Sequence, residues 1–173
     1  MSTPSFVDAF SQQFTLDPAH TALLIIDMQN ATGNRHMGLG KLLAEQGNSD
    51  SAQYRFDRID DLLIPNIQKL IAGFRAAGAS IIWITYGANA QDASDAPPHI
   101  APIIKATNNI AGQPEHEVVD ALEPGPNDLV LNKTTQGAFR STGLDSALRA
   151  LGVTTVGSTG VSTNNCVAMT SMA

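Results

Sequence analysis

An acid, an ammonium and a thiol follow three apolar runs: Asp27 in LLIIDMQN, Lys133 in LVLNKTTQGAF and Cys166 in GVSTNNCVAMTS. Cys166 is the only cysteine of the chain. A thiol attacks a carbonyl as its thiolate, so it needs a base or a nearby positive charge to work near neutral pH. Asp27 is suited to take the thiol proton and return it to a leaving amine. Lys133 would supply positive charge, and a helix start at Cys166 would favour an anion there, so the three features together predict a lowered thiol pKa. Backbone N–H groups in the turn Gly160, Val161, Ser162 and Thr163 offer an oxyanion hole. Each residue also has a plainer reading: Asp27 as a helix cap, Lys133 as a partner for any carboxylate, Cys166 as an inert buried thiol. Their joint placement at strand ends favours catalysis.

The runs that carry these residues read as buried parallel strands. Residues 22–26 are continuously apolar, and residues 80–85, 128–131 and 153–157 supply three more strands. Between the first two, Ile59, Leu62, Leu63, Leu70, Ile71, Phe74 and Ala77 follow helical spacing, with Gly78 as the stop. Pro65 predicts a kink there or a start just before it. Leu144, Leu148 and Leu151 predict a helix ending at Gly152, and residues 164–173 predict two further turns. Residues 31–51 and 87–114 read as long loops, the second as a lid. Strands alternating with helices predict an α/β fold, a doubly wound parallel sheet flanked by helices in three Rossmann-like layers. In such sheets the carboxyl ends of the strands face the ligand crevice.

The bulk numbers narrow the function classes. With 43% hydrophobic and 15% charged residues the chain is globular rather than disordered. A net charge of −6 and a pI near 4.9 exclude a basic nucleic-acid surface and disfavour an anionic membrane. The runs ALLII and SIIWI are too short to span a bilayer, and the N-terminus has no basic and apolar leader pattern. A lone cysteine fits a reducing cytoplasm. Residues 1–18 read as an N-terminal arm ending at the turn pair Asp17-Pro18, and residues 19–173 as the folded domain.

The set LLIIDMQN, LNKTTQGAFRSTGLDSALRALGV and TGVSTNNCVAMTS resembles the isochorismatase-like cysteine hydrolase superfamily. That group includes nicotinamidases, N-carbamoylsarcosine amidase, ureidoacrylate hydrolases and biuret hydrolases. The resemblance implies that Asp27 is the base, Lys133 the lysine and Cys166 the nucleophile of a triad. It also implies a cis peptide between Val161 and Ser162, with the N–H groups of Ser162 and Cys166 as oxyanion donors. The reaction implied is hydrolysis of a small linear amide or ureido C–N bond through an acyl-enzyme. Cys166 argues against the vinyl-ether chemistry of isochorismatases proper. Where nicotinamidases carry an Asp-x-His metal motif, this chain reads Thr85-Tyr86-Gly87-Ala88-Asn89. His20, His36, His99 and His116 have no metal-ligand spacing, so no metal and no other cofactor is expected.

Asn30, Arg35, Tyr86, Asn89, Gln136 and Phe139 lie beside the motifs and are the substrate-binding candidates. Gln29 is expected to organise its loop, Trp83 to sit in the core and Arg140 to be solvated. Members of the superfamily run on for several tens of residues past the nucleophile, so the domain reads as C-terminally incomplete, leaving the fourth strand as an apolar edge. The resemblance implies a homo-oligomer. The alternatives are a non-catalytic binding module on the same scaffold and a redox-sensing thiol protein.

Overall fold

β1, Thr21–Ile26, is apolar at every position after its first, and all six residues are buried. It lies inside a four-stranded sheet with β2 (Ser80–Tyr86), β3 (Leu129–Lys133) and β4 (Thr155–Gly160). The order is β3-β2-β1-β4 and every pairing is parallel. Eight α-helices are assigned in the computed structural model, which describes residues 15–173. They are α1 (Asn30–Gly33), α2 (Gly38–Glu45), α3 (Gln53–Arg58), α4 (Ile64–Ala76), α5 (Ala101–Ala106), α6 (Ala138–Ser141), α7 (Leu144–Ala150) and α8 (Ala168–Ser171). Residues 1–14 of the expected arm lie outside the described residues. At the end of that arm the Asp17 carboxylate accepts from Ala19 N at 3.0 Å and caps a short turn over Pro18–His20.

Side-chain alternation along β1 and β2 feeds two cores. Leu23, Ile25, Ile81 and Trp83 pack on one face against Ile67 and Ile71 of α4. Ala22, Leu24, Ile26, Ile82 and Ile84 pack on the other against Leu144 and Leu148 of α7. The chain steps one way from β1 to β2 to β3, then returns across the sheet to β4. Right-handed crossovers put helices on opposite faces when the stepping direction reverses, which accounts for α4 and α7 on opposite sides. The three-layer architecture expected from the sequence is therefore present. The reversal falls between β1 and β4, so the crevice opens beside Asp27 and the segment after Gly160. Trp83 is in the core as expected, and its indole N–H donates to Asp128 Oδ2 at 2.9 Å.

Several boundaries differ from the sequence reading. β3 begins one residue later and runs on through Asn132 and Lys133, because these pair with Thr85 and Tyr86 of β2. β4 is shifted to Thr155–Gly160, where the full length of β1 supplies partners for residues of weak strand preference. It is an edge strand, but Val156 is its only large apolar residue, so the edge is more polar than expected. Residues 31–51 contain α1 and α2 rather than an open loop. The glycines that suggest a loop there serve close packing: a Cβ on Gly38 or Gly40 would collide with the backbone of Ala31 or Arg35. Residues 87–114 contain α5 and a small core of Ala88, Ala93, Ala96, Ile104 and Ile110. Pro65 falls inside an unbroken helical run from Gln53 to Ala76, directly after a π-helical turn over Ile59–Leu63, so the helix neither starts nor stops at the proline. No described helix is long and apolar enough to cross a membrane.

Gly160 closes β4 at φ 119, beside the backbone of Ile26, where there is no room for a Cβ. A Cβ there meets both an unfavourable backbone region and a backbone collision. Gly160→Ala is expected to lose at least ~2 kcal/mol in urea unfolding. An unchanged midpoint would show that the close approach carries no such constraint.

Candidate active site

The carboxyl ends of the four strands deliver the chemistry. Asp27 follows β1, Tyr86 ends β2, Lys133 ends β3, and Val161 and Ser162 follow β4. Asp27 has φ 55, an uncommon backbone for a residue with a Cβ, and its N–H donates to Ile84 O at 2.8 Å. Lys133 Nζ donates to Asp27 Oδ2 at 2.9 Å, with the two side chains 0% and 7% exposed. Because β2 lies between β1 and β3, the lysine must reach across it. Its Nζ passes 3.7 Å from the centroid of the Tyr86 ring, where the π face favours a cation.

The peptide between Val161 and Ser162 is cis. Cys166 follows in a π-helical turn over Thr163–Val167 that runs into α8, and its side chain is buried. Asp27, Cys166, Ser162, Tyr86 and Arg55 line a cavity of about 150 Å³, together with Gln29, Thr32, Asn109, Val161 and Asn165. A space of that size holds a molecule of roughly benzene dimensions. Asp27 Oδ1 and the Tyr86 hydroxyl are buried there without a hydrogen-bond partner among the described residues.

Protonation in this site differs from the sequence expectation. Burial pushes the Asp27 carboxyl above its ordinary value, against the pull of Lys133, Cys166 and Arg55. The Cys166 thiol is pushed up to about 12, first by burial and then by the Asp27 charge, which together outweigh Lys133. The resting thiol is thus not lowered; it keeps its proton beside a carboxylate that is ready to accept one. Tyr86 is also pushed up to about 12, first by burial, and remains a phenol donor.

A neutral network holds the floor. Gln29 Oε1 accepts from Tyr86 N at 2.7 Å, and Asn109 Nδ2 donates to Tyr86 O at 2.6 Å. Those bonds fix both amide orientations, so Gln29 Nε2 donates to His116 O and to Asn109 Oδ1. His116 Nδ1 must then donate its proton to Asn109 Oδ1, 3.0 Å away. Burial lowers the His116 pKa and favours that neutral form. Gln29 organises the backbone, as its sequence context implies, and also forms part of the cavity wall.

Of the six substrate-binding candidates only Tyr86 lines the cavity. Arg35 lies on the exposed surface, held by Asp57 at 3.0 Å and Asp60 at 2.6 Å. Asn30 is buried and spent on Pro114 O and Asn34. Asn89 donates to Asp95 of its own loop and accepts from Asn132 of β3. Gln136 reaches His99, and Phe139 packs into the core with Tyr86 and Leu131. Sequence neighbourhood misled in these cases because adjacent residues on a turn point in different directions. Arg55 and Asn109 were missed. A signal for Arg55 existed: Ala52, Phe56 and Ile59 form the buried stripe of its helix, and residue 55 borders that stripe one turn before Ile59.

The isochorismatase domain model matches residues 21–173. Ureidoacrylate amidohydrolase RutB of Enterobacter sp. (strain 638) is 33% identical, over 92% of this chain and 70% of its own length. The protein of that name from Methylobacterium radiotolerans is 34% identical, over 92% of this chain and 63% of its own. A cysteine hydrolase from Pseudomonas syringae pv. phaseolicola superposes with a TM-score of 0.70 at 26% identity, covering 98% of this chain and 70% of that one. The chain belongs to the isochorismatase family, and it is a hydrolase of that family.

Removing Lys133 isolates a buried carboxylate. Lys133→Met is expected to cost about 3–5 kcal/mol at pH 7. Asp27 already binds its proton more tightly folded than unfolded, and more so without the lysine. Protonation therefore favours the folded variant, and the deficit should shrink as the pH falls toward 5. Urea unfolding at both pH values tests this; an equal deficit at each would mean that Asp27 is not the group left uncompensated.

Proposed function

We propose that the protein is a metal-independent cysteine amidohydrolase that cleaves a small linear amide or ureido C–N bond through a Cys166 acyl-enzyme. The observation that carries this reading is the division of Asp27, a residue that lines one cavity with Cys166: Oδ2 is held by Lys133, while Oδ1 is buried without a partner among the described residues. The family membership and the two ureidoacrylate amidohydrolase relatives support the reaction class.

The steps follow from this arrangement. The Sγ–H proton passes to Asp27 Oδ1 as sulfur bonds to the substrate carbonyl carbon, and the carbonyl π pair moves onto oxygen. The N–H groups of Ser162 and Cys166 receive that oxyanion. The tetrahedral intermediate collapses, the C–N bond breaks with its electron pair on nitrogen, and Asp27 returns the proton to the departing ammonia or amine. Water then adds to the thioester, giving a proton to Asp27. Cleavage of the C–S bond returns that proton to sulfur. One water is consumed and the thiol is regenerated. Lys133 holds Asp27 in place through both transfers and favours its charged form between them.

A thiol held near 12 cannot wait as a thiolate, so attack and proton transfer belong to one coupled event. The acyl-enzyme requires sulfur, and Cys166→Ala should lower ammonia release from amide and ureido compounds at least ~10³-fold. Turnover retained in that variant would end the proposal. Because Asp27 must be unprotonated to act and its pKa is raised above 3.8, kcat/KM should fall on acidification at a pH above 3.8. A profile governed only by an ordinary thiol ionisation near ~8.5 would contradict the coupled pair.

A further inference from the structure

The proposed reaction moves a negative charge. At rest the charge sits on Asp27, 2.9 Å from Lys133. Once Asp27 has taken the thiol proton its carboxyl is neutral, and the charge has passed to the substrate oxygen beside the N–H groups of Ser162 and Cys166. Lys133 donates to the group that loses the charge. The cation that donates to Ser162 is Arg55.

Arg55 comes from α3 and lines the cavity. Its Nη1 donates to Ser162 Oγ at 3.1 Å, and its Nε donates to Thr32 O, also at 3.1 Å. The guanidinium therefore ties the segment after β4 to α1, which follows the Asp27 motif. Among the described residues Ser162 Oγ accepts from no other group, and the Ser162 N–H donates to none. Arg55 makes no ion pair among them either, whereas the exposed Arg35 is held by two aspartates. Burial lowers the Arg55 pKa, and negative charge on Asp27 or Cys166 opposes that, so the guanidinium senses both reacting groups. An arginine stays charged under these conditions. A fixed cation without a counter-ion favours a charge that develops near it, more strongly where water is excluded.

We infer that Arg55 is a positioning residue for the acyl-transfer step: through Ser162 it holds the oxyanion donor in place, and its unpaired charge favours the oxyanion over the resting carboxylate. This rests on the amidohydrolase reading and adds to it the group that supports the transferred charge. Arg55 exchanges no proton, and the transfers remain with Asp27.

The test compares wild type, Arg55→Lys, Arg55→Met and Ser162→Ala on the amide or ureido compound that wild type hydrolyses fastest. Arg55→Met should lower kcat about 10- to 100-fold, with KM changed less than about threefold. Arg55→Lys keeps the charge and should recover part of that loss. Ser162→Ala keeps the backbone N–H and the guanidinium but removes the tether, so its loss should be the smaller one. A loss confined to KM, no recovery with lysine, or an equal loss in Ser162→Ala would overturn the inference.

An aldehyde separates this inference from the hydrolase reading. The Cys166 S–H adds across the carbonyl of propionaldehyde, forming the C–S bond and leaving the proton on oxygen. The tetrahedral adduct has no leaving group, and its oxygen meets the same donors. Carbon-13 NMR of the labelled aldehyde measures the adduct in each variant, with circular dichroism to confirm folding. Arg55→Gln takes the place of Arg55→Met if the latter does not fold. An adduct weakened about fivefold or more in the Arg55 variant supports the inference even if no compound releases ammonia. Equal affinity in variant and wild type, or no adduct in wild type at millimolar aldehyde, overturns it even if hydrolysis is established.

Discussion

Two opposite charges are buried at the carboxyl edge of the sheet, and each is tolerable there because the other is 2.9 Å away. Lys133 and Asp27 come from strands that are not neighbours. The pair can form only if β2 lies between them, if Tyr86 ends level with Lys133, and if the lysine stem crosses the Tyr86 ring. Strand order, register and the identity of the residue ending β2 are all tied to that one contact. A register slip in β3 would turn Lys133 to the opposite face of the sheet and strand the carboxylate.

The rest of the site is arranged so that Tyr86 holds its place. Gln29 takes its N–H and Asn109 takes its C=O, and His116 settles the orientation of Asn109. This network contains no charge while His116 is neutral, which burial promotes. Fully partnered amides orient a backbone without adding a field that would compete with the Lys133–Asp27 pair. Against that background Asp27 Oδ1 and the Tyr86 hydroxyl stand out as buried polar atoms still lacking partners. Unsatisfied buried groups are uncommon in folded proteins, and both of these belong to residues that line one cavity.

The raised thiol follows from the same geometry. A buried sulfur next to a carboxylate is a poor place for a second negative charge, whatever the lysine contributes. In the proposed mechanism, nucleophilicity then depends on handing the proton to Asp27 at the moment of attack. Arg55 adds a positive charge to the cavity lining, where Asp27 is already paired with Lys133.

The sequence alone determined the layered α/β architecture, because alternation of apolar runs with helical spacing admits few other arrangements. It also singled out Asp27, Lys133 and Cys166, since each polar residue interrupts or ends an apolar segment where burial would otherwise be costly. The cis position between Val161 and Ser162 followed from family resemblance rather than from local chemistry. Strand ends were legible only to within a few residues: Asn132 and Lys133 extend β3 because β2 offers ladder partners, and no local preference announces that. Which polar side chains face the cavity was decided by tertiary structure. Arg35 and Arg55 are equally plausible in a one-dimensional reading, yet two aspartates brought from another helical segment neutralise the first, and packing beside the Phe56 stripe carries the second into the site. The high pKa of Cys166 was likewise invisible, because a pKa depends on burial and on charges assembled from distant segments.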